Sequence, residues 1–434
     1  MEKEKITLKI SDKTVKKVPK KIILKKGTMN KNPFFNKSEV LIKARNLRVE
    51  FGKGSNKLVA LKNLNFNIYK GEVLGLVGES GSGKSTTGRA LTGLLDRTAG
   101  TVQIKDFKLP SKTKNIKGLI KKKMINNVQM IFQDPTDSLN SQKTILNVVS
   151  EGLVNNNVKE ILFTSKYNSI KMDLWKNYSI LLDEYIIFSE KDLSDKHAKF
   201  DKKSNELIDA LDKIKEIYPS TKVYISFIQG GLKETFLSNK SKKELIERKV
   251  IELLNEVGLD QGSLNRYPLE FSGGQQQRVG ISRALAVNPS FIVADEPISA
   301  LDVSIQAQVI NIFNEMKEKY NLTMLFIAHD LRMVEYISDR IAVMYKGEII
   351  EIGKTESVTK NPIHPYTKIL LENIPSIDDL ENINGSKVYN SNIWNPKKEK
   401  KIWHQIGEEN HFIFASKSEY KKIRNNEGKG VKNA

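Results

Sequence analysis

A run of glycines and serines that ends in lysine and serine has the residue types and spacing of a phosphate-binding loop. Gly78–Ser85 (GESGSGKS) fits the pattern G-x-x-x-x-G-K-[ST]. The glycines let backbone N–H groups turn inward around phosphate oxygens, and a following helix adds the positive end of its dipole. Lys84 would reach the β- and γ-phosphates, and the Ser85 hydroxyl would bind Mg²⁺. The predicted nucleotide-binding residues of this phosphate loop and its flank are Gly78, Glu79, Ser80, Gly81, Ser82, Gly83, Lys84, Ser85 and Thr86.

Two acidic residues follow another apolar run. Asp295 and Glu296 come directly after Phe291–Ala294. Taken alone, such a pair is usually a solvated turn. Beside a phosphate loop, however, one carboxylate can hold Mg²⁺ and a second can orient and polarise an attacking water. We therefore predict that Asp295 is a metal ligand and that Glu296 is the general base.

Two more polar residues stand at the ends of apolar segments. Gln133 follows Val128–Phe132, and its amide could contact both the metal and the water, or it could be structural. His329 follows Thr323–Ala328, and a neutral imidazole there could donate to a γ-phosphate. A histidine in that place could equally be a satisfied structural residue. Both are candidate catalytic residues, with Lys84 and Glu296.

A second glycine-rich turn, Phe271–Arg278 (FSGGQQQR), precedes a predicted helix over Gln275–Ala286. It would form a second anion-binding helix terminus. One nucleotide does not obviously need two such cradles from one chain. The second cradle could therefore serve a neighbour's nucleotide, in a head-to-tail pair that buries two nucleotides at its interface.

These residues need a common framework, and the hydrophobic pattern predicts one. Short, mainly apolar runs that predict strands are Glu72–Val77, Phe291–Ala294 and Thr323–Ala328, and Ser85–Leu95 has a helical pattern. Such an alternation indicates a parallel sheet covered on both faces, with ligands bound at the carboxyl ends of its strands. Residues 341–352 are predicted to form a β-hairpin that closes the sheet.

The texture of the chain changes outside this framework. Residues 1–38 hold twelve lysines against three acidic residues, which predicts a basic N-terminal extension. Residues 154–240 are dense in Lys, Asn, Ser and Asp and are predicted to be a partly helical insertion. After it, Ser241 and Glu244 form a capping box for a helix that Gly258 stops. The last fifty or so residues are weakly patterned, and the tryptophans, Trp175, Trp394 and Trp403, lie in the insertion or this tail.

Composition excludes several classes of protein. The 434 residues contain no cysteine, which excludes disulfides, thiol nucleophiles and cysteine-held metal sites. The chain has neither a membrane-spanning apolar stretch nor the apolar core of a signal peptide, so we expect it in the cytosol. Its net charge of +20 suits polyanionic partners. The basic extension could approach anionic lipid headgroups, although a solvated extension is the simpler interpretation.

Together, these motifs resemble those of ATP-binding-cassette (ABC) ATPases. The matching features, in the family's order, are residues 78–85, Gln133, residues 271–275, 291–296 and 299–302, and His329. The resemblance implies a P-loop NTPase fold with a mixed sheet core, an antiparallel β part and a helical subdomain, besides the mainly helical insertion. It also implies that Phe51 stacks on adenine and that Asp302 couples the two sites. A partner's ATP would be contacted by Ser272, Gly273, Gly274 and Gln275, and Mg²⁺ by Ser85, Gln133 and Asp295.

A narrower resemblance is to the ATPases of oligopeptide/dipeptide importers. This resemblance rests on residues 79–89, 129–140, 267–278 and 361–375. The OppF-type subunit is favoured by residues 86–89 and 132–135. It implies an ATPase that powers peptide import, peripheral on the cytoplasmic face of the membrane, with no nucleic acid bound. The implied partners are a paralogous ATPase subunit, two membrane-spanning subunits and a peptide-binding lipoprotein. Residues 134–150 would transmit motion to the membrane subunits.

On this basis the ABC ATPase domain comprises 39–153 and 241–355, the insertion 154–240, and a C-terminal extension 356–434. The alternative is a DNA-associated ABC-type ATPase of the chromosome-maintenance class, since those proteins also carry an insertion and the net charge suits DNA. Their insertions have long heptads, whereas this one shows short helical stretches with Pro219 and Gly230-Gly231. Paired cassettes in one chain are excluded because a single set of motifs is present.

Overall fold

The structure, a computed structural model, describes residues 39–52, 56–136, 138–188, 200–237, 240–372, 389, 399–406 and 411–430. The basic N-terminal extension predicted over 1–38 and Trp394 lie outside these residues. Within the described ranges the strands are β1 (Val40–Phe51), β2 (Leu58–Tyr69), β3 (Val73–Val77), β4 (Ala99–Ile104), β5 (Phe107–Leu109), β6 (Val128–Ile131), β7 (Phe291–Asp295), β8 (Thr323–Ala328), β9 (Arg340–Tyr345), β10 (Glu348–Lys354), β11 (Ile402–Ile406) and β12 (His411–Ala415).

The helices of the same ranges are α1 (Lys84–Leu91), α2 (Gly118–Asn127), α3 (Ile145–Val154), α4 (Val158–Tyr178), α5 (Phe200–Ile217), α6 (Lys222–Leu232), α7 (Lys242–Glu256), α8 (Gly273–Leu285), α9 (Val303–Tyr320), α10 (Leu331–Glu335), α11 (Thr355–Lys360), α12 (Pro365–Glu372) and α13 (Lys417–Gly430). A π-helical turn, Lys233–Leu237, follows α6. None of these helices combines the length and apolar character needed to cross a bilayer.

The strands form two sheets. An antiparallel sheet has the order β2-β1-β4-β5, and a larger one has the order β11-β12-β10-β9-β3-β8-β7-β6. In the larger sheet β9, β3, β8, β7 and β6 run parallel, so their carboxyl ends meet at one edge. β3, β7 and β8 are buried along their whole length, as their uninterrupted apolar sequences predict. The antiparallel sheet packs on one face of this sheet, through residues such as Leu47, Leu74 and Ile327.

The other face of the large sheet is covered by helices. A second apolar cluster joins β7 and β8 with α7, α8 and α9, and it continues into α4 and α5 without a break. Phe163 of α4 is fully buried and contacts the rings of Phe188, Phe200 and Phe236. The polar-looking segment 154–240 therefore has an apolar interior of its own, and it shares that interior with the rest of the helical layer.

Some details differ from the sequence predictions. The hairpin of β9 and β10 does not close the sheet, because β12 pairs with β10 and β11 with β12. The tail thus contains two strands and a helix where the sequence indicated weak pattern, since β12 buries every second residue of only five. The helix predicted from Ser85 to Leu95 ends at Leu91, and α4 spans 21 residues rather than a short stretch. The capping box at Ser241 is confirmed.

Candidate functional site

The phosphate loop connects the end of β3 to the start of α1, as the motif requires. Gly78 has φ +154°, and a Cβ there would lie 2.1 Å from the carbonyl oxygen of Met344. Gly83 has φ +108°, and its Cβ would press on the Ala60 carbonyl oxygen at 2.9 Å. Glycine is therefore required at both positions by conformation and by space. The Gly347 N–H donates to the Ser82 carbonyl oxygen at 2.9 Å, which ties the loop to the β9–β10 turn.

Lys84 is buried and points back along the loop. Its Nζ donates to the carbonyl oxygens of Gly78, at 2.8 Å, and Glu79, at 3.0 Å. The Glu296 carboxylate oxygen Oε1 lies 3.7 Å from the same nitrogen. Burial lowers the pKa of Lys84, and the charge of Glu296 opposes that effect. The lysine thus occupies a cationic position at the centre of the loop, where phosphate would gather.

Asp295 ends β7 and has the electrostatics of a metal ligand. It is 2% exposed, and its Oδ1 atom has no hydrogen-bond partner among the described residues. Burial raises the pKa of Asp295, while the hydrogen bond with the Ser85 side chain lowers it. A buried, unpaired carboxylate oxygen next to a hydroxyl fits Mg²⁺, which prefers oxygen ligands and one or two carboxylates. The residues present therefore fit the predicted metal.

Glu296 takes an unusual backbone conformation that directs it toward the loop. Its φ is +46°, and its N–H donates to the Ile327 carbonyl oxygen at 3.0 Å across to β8. Its Oε2 atom lies 3.8 Å from Nδ1 of His329, whose side chain is exposed. A non-glycine residue with positive φ costs free energy and is often found at functional sites. The strain places one carboxylate between Lys84 and His329.

Lys84 and Glu296 line a cleft of about 590 Å³. Asp295 is not in its lining, and His329 lines a smaller cavity that Glu296 also borders. The cleft contains predicted site residues from the phosphate loop together with Phe51, Gln133 and Glu296. Gln133 is exposed, and the ring of Phe51, at the end of β1, is 40% exposed. The structure thus brings the adenine-stacking, glutamine and phosphate-loop candidates into one space. The full lining is Phe51, Leu58, Val59, Ala60, Lys62, Ser80, Gly81, Gly83, Lys84, Ser85, Thr86, Gln133, Glu296, Lys346 and Gly347.

The sequence reasoning missed Lys62 and Lys346 in this lining. Lys346 sits in the β9–β10 turn, which the sequence identified only as a hairpin turn. It reaches the cleft because β9 pairs in parallel with β3, so the turn lies beside the phosphate loop. Lys62 follows from the same contact, since its N–H donates to the Gly347 carbonyl oxygen at 2.8 Å. The sequence shows that the chain is rich in lysine, but it does not show that these two lysines line the cleft.

The glycine-rich turn at Ser272 does not line this cleft. Ser272 is the N-cap of α8, and it exchanges hydrogen bonds with Gln275 in a capping box. Ser272 and Gly273 are exposed, so the helix terminus faces outward from the described chain. Asp302 is likewise an exposed N-cap residue, of α9, without a side-chain capping bond. The structure therefore keeps both apart from the cleft residues.

A tyrosine from the C-terminal part of the chain contacts the phosphate loop. The Glu79 N–H donates to the Tyr366 hydroxyl at 3.0 Å. Residues 361–375 resemble the importer ATPases, but nothing in their spacing indicates contact with residue 79. Tyr366 follows Pro365 and the buried His364, and residues of these types in a row indicate only a packed segment.

Two family models match the sequence. The one described as "ABC transporter" matches residues 61–299, and the one described as "Oligopeptide/dipeptide transporter, C-terminal region" matches residues 350–394. The first contains the phosphate loop, Gln133, the turn at Ser272, Asp295 and Glu296. The second contains Tyr366.

Curated relatives match along most of the chain. "Oligopeptide transport ATP-binding protein OppF" of Streptococcus pyogenes serotype M1 is 38% identical over 89% of this chain and 99% of its own length. The protein of the same name from Bacillus subtilis (strain 168) is 37% identical over 88% of this chain and 99% of its own. A solved dimeric ATP-binding cassette in a post-hydrolysis state with ADP and Pi has a TM-score of 0.48 and 23% identity, covering 72% of this chain and 98% of that one. Nothing in these relatives favours the DNA-associated alternative.

Proposed function

Because the chain belongs to the ABC transporter family, among the oligopeptide transport ATP-binding proteins, we propose that it binds and hydrolyses ATP to power peptide import. The observation that carries this proposal is that Lys84 and Glu296 line one cleft, with the buried Asp295 hydrogen-bonded to the Ser85 side chain of the same cleft. Lysine and a carboxylate 3.7 Å apart at a phosphate loop supply the charge and the base that hydrolysis of a phosphoanhydride needs.

Nucleotide binding follows from the cleft geometry. Phosphate groups accept hydrogen bonds from the loop N–H groups, and the Lys84 ammonium group moves from the Gly78 and Glu79 carbonyl oxygens to the phosphates. The exposed ring of Phe51 offers a flat apolar surface for adenine. Affinity then comes mainly from the loop, because charge-assisted hydrogen bonds are stronger than neutral ones.

Hydrolysis is assigned to Glu296. Its carboxylate accepts a proton from the attacking water as that water approaches the γ-phosphate. His329 Nδ1 lies 3.8 Å from the same carboxylate, and His329 donates a hydrogen bond to the γ-phosphate. Gln133, which follows β6 and lines the cleft, positions the water. Ser85, Asp295 and Gln133 would hold Mg²⁺, which neutralises phosphate charge when bound.

The exposed turn at Ser272 supports a shared site. Residues 272–275 present a helix N-terminus away from their own cleft, and such a terminus binds anions. We assign it to the ATP of a paralogous ATP-binding subunit arranged head to tail, with Asp302 coupling the two sites. The remaining partners are two membrane-spanning subunits and a peptide-binding lipoprotein, and the assembly holds the chain at the cytoplasmic face.

The domain division follows the same reasoning. The ABC ATPase domain comprises 39–153 and 241–355, with 154–240 inserted and 356–434 as a C-terminal extension. Support comes from the family models, since one runs through the insertion and the other begins near the proposed end of the ATPase domain.

Glu296→Gln tests the function most directly. It keeps the size of the side chain and removes the base, so ATP should bind with wild-type affinity while turnover falls by about a hundredfold or more. Glu356→Gln is the matched control, because that carboxylate is exposed on α11 and forms an ion pair with Lys360 on the same helix. Wild-type turnover by Glu296→Gln would refute the assignment.

Purification from membranes should recover a second ATPase and two polytopic proteins.

A further inference from the structure

The peptide group between Gly78 and Glu79 is held from both sides. Its carbonyl oxygen accepts a hydrogen bond from Lys84 Nζ at 2.8 Å, and its N–H donates to the Tyr366 hydroxyl at 3.0 Å. The carbonyl and the N–H of a trans peptide point in opposite directions and rotate together, because the group is planar. A bond that fixes the N–H therefore also fixes the carbonyl oxygen that receives the lysine.

Tyr366 is itself held rigidly. It is fully buried at the start of α12, with its ring centroid 4.6 Å from that of Tyr345 and 5.6 Å from that of Tyr389. Its own N–H donates to Nδ1 of His364 at 3.2 Å. The His364 N–H in turn donates to the Glu351 carboxylate of β10 at 2.9 Å.

The hydroxyl is a neutral partner at physiological pH. Burial raises the pKa of Tyr366 to about 12, so the oxygen stays protonated while it accepts from Glu79. Hydrogen bonds in series polarise one another in a low-dielectric interior. The series from Tyr366 through the peptide to Lys84 therefore stabilises one orientation of the loop.

We propose that Tyr366 is a positioning residue for nucleotide binding: its hydroxyl sets the orientation of the Gly78–Glu79 peptide, and so the place from which Lys84 engages phosphate. The inference rests on the function proposed above. It assigns to the C-terminal region, which the ABC transporter family model does not cover, a direct part in the nucleotide site.

The consequence for kinetics is specific. Without the hydroxyl, the peptide can rotate and part of the population presents a misdirected carbonyl, so binding must first select the competent orientation. Nucleotide affinity should fall, whereas turnover of bound nucleotide should persist because Glu296 is untouched. A residue that only stabilised the fold would instead lower the active fraction and leave the Kd unchanged.

Tyr366→Phe in the full-length chain tests this, with Tyr389→Phe as the matched control. Tyr389 loses the same hydroxyl from the same aromatic cluster, but no hydrogen bond to the phosphate loop. We expect Tyr366→Phe to raise the Kd and KM for ATP about three- to tenfold, the value of one lost hydrogen bond, with kcat within about twofold. Tyr389→Phe should change neither. An unchanged Kd in Tyr366→Phe, or equal weakening in both variants, would overturn the proposal.

Hydrogen–deuterium exchange on the wild type gives a second test that needs no variant. ATP should change the protection of residues 78–84 and of residues 365–372 together, since Lys84 leaves the shared peptide when it binds phosphate. A response confined to residues 78–84 contradicts the proposal. Absence of ATP binding by the wild type would instead count against the proposed function itself, which separates the two failures.

Discussion

The Nζ atom of Lys84 and the Oε1 atom of Glu296 lie 3.7 Å apart, although the two residues are 212 positions apart in the chain. They meet because β3 and β7 flank β8 in a parallel sheet, so both strands release their next residues at the same edge. A phosphate group entering the loop would come between a cation that binds it and a carboxylate that activates water beside it.

Replacing Lys84 by Met should weaken nucleotide binding while keeping the loop packed. Met fills most of the buried volume, but the charge-assisted bonds to phosphate are lost, and each is worth about 1.5–3 kcal/mol. We expect ATP affinity to fall at least about tenfold, measured with a fluorescent ATP analogue. Lys360→Met, at an exposed helix position, serves as the control and should bind normally. Retained binding by Lys84→Met would contradict its assignment.

Asp295→Asn should stabilise the nucleotide-free protein and inactivate it. Since burial raises the pKa of Asp295 in the folded state, its ionised form opposes folding. Stability from this group is therefore present below the unfolded pKa and declines as pH rises through the folded pKa. Removing the charge should add on the order of 1 kcal/mol at neutral pH, the cost of a buried unsatisfied group.

Thermal unfolding of wild type and Asp295→Asn across pH 4–8 would measure this. The difference should widen toward neutral pH, and Mg²⁺-dependent hydrolysis should be lost. Equal stability of the two proteins at all pH values would show that the buried Asp295 carboxylate does not destabilise the folded state.

His364 should make the chain acid-sensitive. Burial lowers the pKa of His364 to about 3, so the folded state holds a neutral ring while the unfolded chain binds a proton near pH 6.5. Stability from this group is present above the unfolded pKa and is lost as pH falls toward 3. His364→Gln should flatten the stability profile between these values, in urea unfolding at several pH values. A stability profile of His364→Gln that is as steep as that of the wild type would contradict this.

Phe163→Ala tests the interior of segment 154–240. The ring is fully buried among other aromatic rings, so its removal should cost about 3–5 kcal/mol in unfolding free energy. Phe227→Ala is the matched control, because that ring is 83% exposed and its loss should cost less than about 0.5 kcal/mol. Similar small effects for both would mean that the segment contributes little to the cooperative fold.

Local pattern was enough to predict the catalytic framework. Three strands are continuous apolar runs: one precedes the phosphate loop, one leads to Asp295 and one precedes His329. Such runs indicate buried parallel strands whose ends meet at one edge of the sheet. The approach of Lys346 to the cleft was not predictable, since it depends on which strand pairs with β3. The strand order cannot be obtained from the periodicity of any single segment.

The C-terminal part was the least predictable. β12 is five residues long and buries alternate residues. So short a strand is hard to predict within a segment rich in Lys and Asn. The contact between Tyr366 and Glu79 joins residues 287 positions apart, and no local propensity encodes such a contact. Segment 154–240 likewise hid its aromatic interior, because its polar surface dominates the composition.

Glu351 limits how far this protein can be shortened. Its carboxylate is fully buried, and the described residues that contact it are Ile363 and His364, through backbone N–H groups, and His411, through Nε2 at 2.6 Å. A truncation after residue 355 would strand this charge in an apolar interior, which is among the costliest defects a fold can carry. The catalytic core is consequently not a detachable module: the segments that follow it in the chain complete its interior.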